Sequence, residues 1–318
     1  MIDFRYHLVS LIAVFLAVAL GIVIGTTQLN GPLTDNLQAQ VTDLQTDKRD
    51  LEDQTQLLQA QLDDVGSFEE AIGPTLVDGT LAGRSVVLVV VDSEDISTGV
   101  VEGLTALLGS AGATVTGTIR LTDAYGTAAV DSALQSYVTG PGRPIETTLP
   151  ETDDTGEIVA SLLAQVLMVP GEGSERAGQV PATTSTSSLL AGLRELDVLS
   201  QDTTSVSPAD FAVLLTAGAV AEEDDEQRTT ALARLAAALD AGGSGAVVAG
   251  DLASAGEGGL VAAVRADEGG TAAVSTVDNV TTAAGRISTV LALAAEGRGV
   301  SGEYGVGDDT QPVPPPAP

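Results

Sequence analysis

From Leu8 to Ile24 the chain carries hardly a polar side chain, and the uncharged stretch runs on to Thr34 before Asp35 supplies the next acid. Seventeen residues at about 1.5 Å each span roughly 25 Å, and continuing to Leu29 passes ~30 Å, enough for one bilayer crossing. The pattern predicts a transmembrane helix over 8–29. A second pattern follows, with spacing alternating four and three through Leu37, Val41, Leu44, Lys48, Leu51, Thr55, Leu58, Leu62 and Val65. With Val41 as a and Leu44 as d, only Lys48 and Thr55 interrupt the apolar seam, both at a positions. Four heptads without Pro or Gly before Gly66 predict a coiled-coil stalk over 33–66, in which a lone polar a residue sets register.

After Gly73-Pro74 the periodicity changes to strands and helices in turn. Val86 to Val91 is a continuous β-branched and Leu run, as a strand buried on both faces requires. Further strands are predicted at Thr114–Ile119, Phe211–Thr216, Ala246–Ala249 and Ala272–Thr276. Helices are predicted from Ser97 to about Leu108, near Ala128–Val138, from Glu226 to Leu239, near Leu260, and from Thr282 to Ala295. This alternation specifies α/β: an N-terminal transmembrane helix and coiled-coil stalk followed by a doubly wound, mostly parallel sheet domain (Rossmann-like) over 80–304, with right-handed crossovers. Residues 140–210, punctuated by Pro141, Pro144, Pro150, Pro170, Pro181 and Pro208, read as an insertion on the rim of the sheet. It has short helices near Glu157–Met168 and Ser188–Leu196 and a mobile loop around Gly171–Ser187. Residues 305–318, ending in Val313-Pro314-Pro315-Pro316, read as an unfolded Pro-rich tail.

Arg5 and the terminal amine precede the apolar helix and an acidic chain follows it. The positive-inside rule then puts 1–7 in the cytoplasm and the remainder outside the cell membrane. A cleaved signal peptide is the alternative; Ala17-Val18-Ala19 lies inside the apolar run, which favours an uncleaved anchor. One face of the helix carries Ala13, Ala17, Gly21 and Gly25, a small-xxx-small ridge along which two helix backbones could approach in lipid, although Ala and Gly are common in membrane helices anyway. The stalk cannot bury its own seam. It calls for a partner, either a second copy in a parallel homodimer or another membrane protein in a heteromer.

Composition narrows the chemistry. The 318 residues include 13 Lys+Arg and 44 Asp+Glu, a formal charge of −31, with no Cys, no Trp, two Met and one His. Disulfides and Cys-ligated metal sites are excluded. So large a negative charge repels phosphate and argues against nucleic acid. The 44 % of hydrophobic residues is enough for a core. The acidic surface mainly favours solubility.

In open α/β sheets ligands sit beyond the carboxyl ends of the strands. There the chain places Asp92, Glu94 and Asp95 after the first strand, Asp251 after the fourth, and Asp278 with Asn279 after the fifth. Converging carboxylates could hold Mg²⁺ or Ca²⁺, making Asp92, Glu94, Asp251 and Asp278 candidate metal ligands. The competing reading is that such residues cap the next helix. The acidic run Glu222 to Glu226 suits a helix entry in the same way. No nucleotide-binding glycine loop follows the first strand, and the single His7 lies at the membrane, so Ser/His and Cys/His catalysis is closed to the exterior domain. No catalytic or cofactor-binding residue is expected, and no enzyme.

The start, Asp-Phe-Arg-Tyr-His-Leu-Val-Ser-Leu-Ile-Ala-Val-Phe-Leu-Ala at 3–17 with Gly21-Ile22-Val23-Ile24-Gly25, resembles the actinobacterial family called mycobacterial copper transport protein B. So do Ser275-Thr276-Val277-Asp278-Asn279, Gly285-Arg286, Val290-Leu291-Ala292-Leu293, Gly302 and Tyr304-Gly305, while 140–210 carries no matching motif. The resemblance implies a cell-envelope protein with a role in copper efflux, described as a channel, and a link to cell separation. The copper it implies has no soft-ligand site in the chain: Cu(I) wants thiolate, thioether or imidazole, and only Met1, Met168 and His7 offer any. Two classes follow, a copper-export component and a non-catalytic scaffold or regulator of envelope or cell-division machinery acting through a membrane partner. Residue chemistry favours the scaffold. A cation-binding α/β domain is a further alternative.

Overall fold

The computed structural model describes residues 4–91, 96–140, 147–171, 176–219, 226–266 and 274–315, with the backbone alone for 26–35. The chain divides into two units, Met1–Val65 and Gly66–Pro318. Helix α1 (Phe4–Val77) makes up the described part of the first and opens the second. Its first 22 residues, Phe4–Gly25, contain an 18-residue window of mean hydropathy 2.9 and none of that window is buried, so this helix is long and apolar enough to cross a membrane.

In the second unit the elements run β1 (Ser85–Val91), α2 (Thr98–Ser110), β2 (Thr114–Leu121), α3 (Ala128–Thr139), α4 (Thr155–Leu167), α5 (Thr183–Glu195) and β3 (Leu199–Gln201). They continue β4 (Phe211–Leu215), α6 (Glu226–Gly242), β5 (Ala246–Ala249), α7 (Leu260–Ala266), β6 (Ser275–Val277), α8 (Ala283–Glu296) and β7 (Glu303–Tyr304). Among the described residues these strands form one open sheet in the order β3-β2-β1-β4-β5-β6-β7, with only the edge strand β3 antiparallel. The mixed α/β, mostly parallel architecture is the one the hydrophobic pattern predicts. β1 shows why. Val87, Val89 and Val91 face a core shared with α3, α4, α6 and α7, while Val86, Leu88 and Val90 face a second core with α2 and α8. Each fully buried Val or Leu contributes about 1.5–3 kcal/mol.

Several expectations need correction. The helix expected to stop at Gly66 runs through Gly73 and Pro74 to Val77. Packing overrides the local breakers: Gly73 and Val77 are buried, and the Glu69 carboxylate accepts the N–H of Ala284 at 3.2 Å. Residues 140–210 are not a rim insertion throughout. Ile158, Leu162, Leu163, Val166 and Leu167 of α4 are buried in the first core, and α5 begins at Thr183, inside the span read as a loop. α4 packs along α6, completing the layer over that face of the sheet. β3, three residues long, is too short to show a period.

Uniformly right-handed crossovers also fail. β5–α7–β6 and β6–α8–β7 each step one place outward in the same direction, yet α7 lies on the α6 face and α8 on the α2 face. Two parallel crossovers with helices on opposite faces have opposite hands. α8 is needed there, since it covers Val247, Ala249 and Val277, which α6 and α7 cannot reach.

Where an unfolded tail was expected, residues 305–315 fold back along the sheet edge. Gly305 N–H donates to Gln311 O at 2.9 Å, Gln311 N–H to Glu303 O at 2.9 Å, and the Ser288 hydroxyl reaches Pro312 O at 3.5 Å. The Pro-rich composition reports extended backbone, and here that backbone is hydrogen-bonded at its start.

Candidate functional site

Two features could carry function: the exposed apolar face of α1 and the polar groups at the two ends of the strands. On α1, Ala13, Ala17 and Gly21 stand exposed, and a Cβ added at Gly21 or Gly25 would meet nothing within 4 Å. Of the seam residues, Leu37, Val41, Leu44, Leu51, Leu58, Leu62 and Val65 are each more than half exposed. The two polar a residues are satisfied within the helix: Lys48 pairs with Glu52 at 3.2 Å, and the Thr55 hydroxyl donates to Leu51 O at 2.7 Å. The apolar side chains of the seam form a long exposed stripe along α1.

At the carboxyl ends of the strands, Asp92, Glu94 and Asp95 lie outside the described residues, as do residues 222–225 of the acidic run. Asp251 uses Oδ1 to accept from Gly218 N at 2.9 Å and Ser254 N at 2.8 Å, tying the end of β4 to its own 3₁₀ turn. Asp278 is fully buried. It pairs with Arg265 at 3.2 Å and accepts from Val306 N at 2.7 Å and Gly307 N at 3.1 Å. Arg265 also donates to Thr276 Oγ1 at 2.9 Å and to Tyr304 O at 3.3 Å. A carboxylate so occupied fixes the return of the chain past β7. Thr282, not Asp278 or Asn279, caps α8, accepting from Gly285 N at 3.0 Å. Among the described residues no three His, Asp or Glu side chains gather in a group that could hold a metal.

The soft donors are scattered. Met168 is fully buried in the first core, and His7 lies in the apolar segment of α1. A cleft of about 650 Å³ between α4 and α6 is lined by Ala160, Ala164, Ala237, Ala238, Arg176 and Arg234 among others. A second, of about 310 Å³, lies between the base of α1, α2 and α8. Neither is lined by Met or His.

At the amino ends of the strands the structure assembles carboxylates that the sequence reading passed over. Asp210 accepts from Ser85 N at 2.8 Å, Asp240 from Ala246 N at 2.8 Å, and Glu296 from Ser275 N at 2.8 Å, so β1, β5 and β6 each begin on a carboxylate. Burial pushes Asp240 up to about 6 and Glu296 up to about 7, with the Asp240 charge adding to the rise at Glu296. The available signal was a lone acid closing an apolar helical run, Leu239-Asp240 and Ala295-Glu296.

These observations define an α/β protein whose N-terminal helix is fit for a membrane and whose described residues gather no group of three or more His, Asp or Glu that could hold a metal. The chain belongs to the family described as "Copper transport outer membrane protein, MctB", whose model matches residues 1–315. It is 32 % identical over 316 residues to the protein named "Copper transporter MctB" of Mycobacterium tuberculosis (strain ATCC 25618 / H37Rv), covering 98 % of this chain and 99 % of that one. It is 33 % identical over 317 residues to the protein of the same name from Mycobacterium leprae (strain TN), covering 96 % and 97 %. The family resemblance read from the two ends of the sequence therefore holds over the whole chain, and places it in a membrane-associated copper transporter family. Neither the family description nor these names speak of a scaffold, of cell division or of a cation-binding domain.

Proposed function

We propose that this protein works in copper export as a single-pass, membrane-anchored component, with the N-terminus in the cytoplasm and the α/β domain outside. The observation that carries the reading is the unburied apolar segment Phe4–Gly25 at the head of a chain whose relatives are named copper transporters. The sheet supports the same division of labour. It is open, its strands β1, β4 and β5 are buried by helices on both faces, and it offers no lipid-facing surface there, so the helix is the part that meets the bilayer. One helix cannot line a pore. The exposed seam from Leu37 to Val65 supplies the means of assembly, as a parallel coiled coil with a second copy, supported in lipid by the Ala13-Ala17-Gly21-Gly25 ridge. Copper is cargo of that assembly. With two Met, one His and no Cys, this chain takes part as an organiser of the route and leaves the holding of Cu(I) to ligands from elsewhere.

Copper content of a deletion strain tests the reading. The full chain should return cellular copper to the wild-type level, and an exported chain lacking residues 1–29 should not. Full rescue by the unanchored chain would overturn the proposal.

A further inference from the structure

Glu296, the last residue of α8, and Asp240, in the last turn of α6, converge on the dipeptide Gly245-Ala246 where β5 begins. Ala246 N–H donates to Asp240 at 2.8 Å, and a Cβ on the neighbouring Gly245 would stand 2.5 Å from Glu296 Cβ. Both carboxylates thus sit at helix C-termini, where the backbone dipole disfavours negative charge. Glu296 is the hub from which the last strand is held. Besides Ser275 N it accepts from the Ser275 hydroxyl and from Ser301 Oγ at 3.3 Å. Ser275 Oγ in turn accepts Gly302 N–H at 3.1 Å, and Thr276 N–H donates to Gly302 O at 3.0 Å. Gly302 leads directly into β7, and β7 holds the returning segment through Glu303 O and Gly305 N–H.

We propose that the Asp240–Glu296 pair is an acid-tightened latch on the C-terminal strap, residues 301–315, closing it against β6 in mildly acidic surroundings and loosening it as the pair becomes doubly charged. The bonds from Ser275 and Ser301 favour the charged form of Glu296, and its burial outweighs them. From β6 and the strap come the hydroxyls of Ser275 and Ser301 and the Tyr304 phenol, which burial and the Glu296 charge both hold above its usual range. From α8, Arg298 spends its guanidinium on Ala294 O at 2.7 Å and Pro315 O at 3.4 Å. Asp210 is committed to Ser85, and Glu303 lies toward Arg265 at 3.7 Å. No described cation pairs with either carboxylate, so relief of their repulsion falls to a proton. The raised Asp240 and Glu296 values set the window between about pH 5 and 8.

Hydrogen exchange of the full chain in detergent, corrected for the intrinsic pH dependence of exchange, reads the latch at the amides of Gly302, Gly305 and Gln311. Their protection should rise about tenfold from pH 7.5 to pH 5.5, since each proton taken up preferentially by the closed state contributes up to a factor of about ten per pH unit. In Glu296→Gln, which keeps an acceptor for Ser275, and independently in Asp240→Asn, the rise should shrink to less than about threefold. Protection that does not change across this window in the wild type, or an unchanged rise in whichever variant folds, would overturn the proposal.

Discussion

Glu69 and Ala284, 215 residues apart, are joined by a hydrogen bond from the first turn of α8 to the Glu69 carboxylate, 3.2 Å long. The carboxylate meets a free backbone N–H at the positive end of a helix. Beside it Arg286 pairs with Glu70 at 3.1 Å, and Gly73 lies close enough to Leu107 and Ile287 that a Cβ would stand 3.1–3.3 Å from them. The end of α1 is therefore part of the folded domain. Glu69→Ala should destabilise the domain by about 1 kcal/mol. Gly73→Leu, which overpacks the same contact, should cost about 1–3 kcal/mol. Urea unfolding measures both; a Gly73→Leu variant as stable as wild type would show that α1 does not pack there.

Asp278 is expected to matter for the strap in a different way from a metal ligand. Asp278→Ala leaves Arg265 without its buried partner and two loop N–H groups without an acceptor, a loss of about 3–5 kcal/mol. Gly305→Ala should also destabilise, because φ is +134° and the added Cβ would overlap Asp278 Oδ1. Thermal melts of the two variants, with and without added Ca²⁺ or Mg²⁺, check this. A cation-dependent rise in wild-type melting that Asp278→Ala abolishes would assign a metal instead.

Stability should fall with rising pH between about 4 and 8. Asp240 and Glu296 have folded values raised to about 6 and about 7, from 3.8 and 4.5. The folded state therefore binds protons more tightly than the unfolded state. The stabilisation is complete below the unfolded values and is lost as pH rises through the folded ones. Asp154 works the other way: burial would raise it, but Arg234 and the Glu157 N–H outweigh that and lower it, so its contribution is lost only as pH falls below about 4. Melting temperatures from pH 4.5 to 8 should decline, and Glu296→Gln should flatten the decline while raising the melting temperature at pH 7.5. A decline that is equally steep in the variant would place its origin elsewhere.

Leu44 takes a d position in the heptad pattern predicted from the sequence, and it is 67 % exposed in the single chain. In a parallel homodimer the two copies of Leu44 face each other. Leu44→Cys, in a chain with no other cysteine, should form a disulfide-linked dimer in membranes, whereas a cysteine at the outer f position, Thr46, should not. Equal crosslinking at both sites would indicate chance encounter, and none at Leu44 would point to a different partner.

Much of the domain was legible because the strands are buried on both faces. Val86 to Val91 and Phe211 to Leu215 read as continuous apolar runs, and the helices between them follow at the expected lengths. What misled were local signals that tertiary packing overrode. Gly66 and Pro74 read as breakers, but burial of Gly73 and Val77 holds the helix together. The prolines around α4 read as an insertion, although Leu162 and Leu163 lie in the core. The rim carboxylates were found by position, yet the bonds of Asp278 to Val306 and Gly307 could not be, because a tail of Gly, Asp and Pro carries no period to read. Glu296 and Asp240 were missed because an acid at the end of an apolar helix reads as solvent-facing.

In the proposed function, copper is exported with the help of this chain without being held by its soft donors. The direct test is the cellular copper content of a deletion strain complemented with the double variant His7→Gln, Met168→Leu. Leu fills the buried Met168 site at near-constant volume. Copper should be as low as with the unaltered chain, at equal protein level. Copper as high as in the uncomplemented strain, with the variant present and folded, would contradict it.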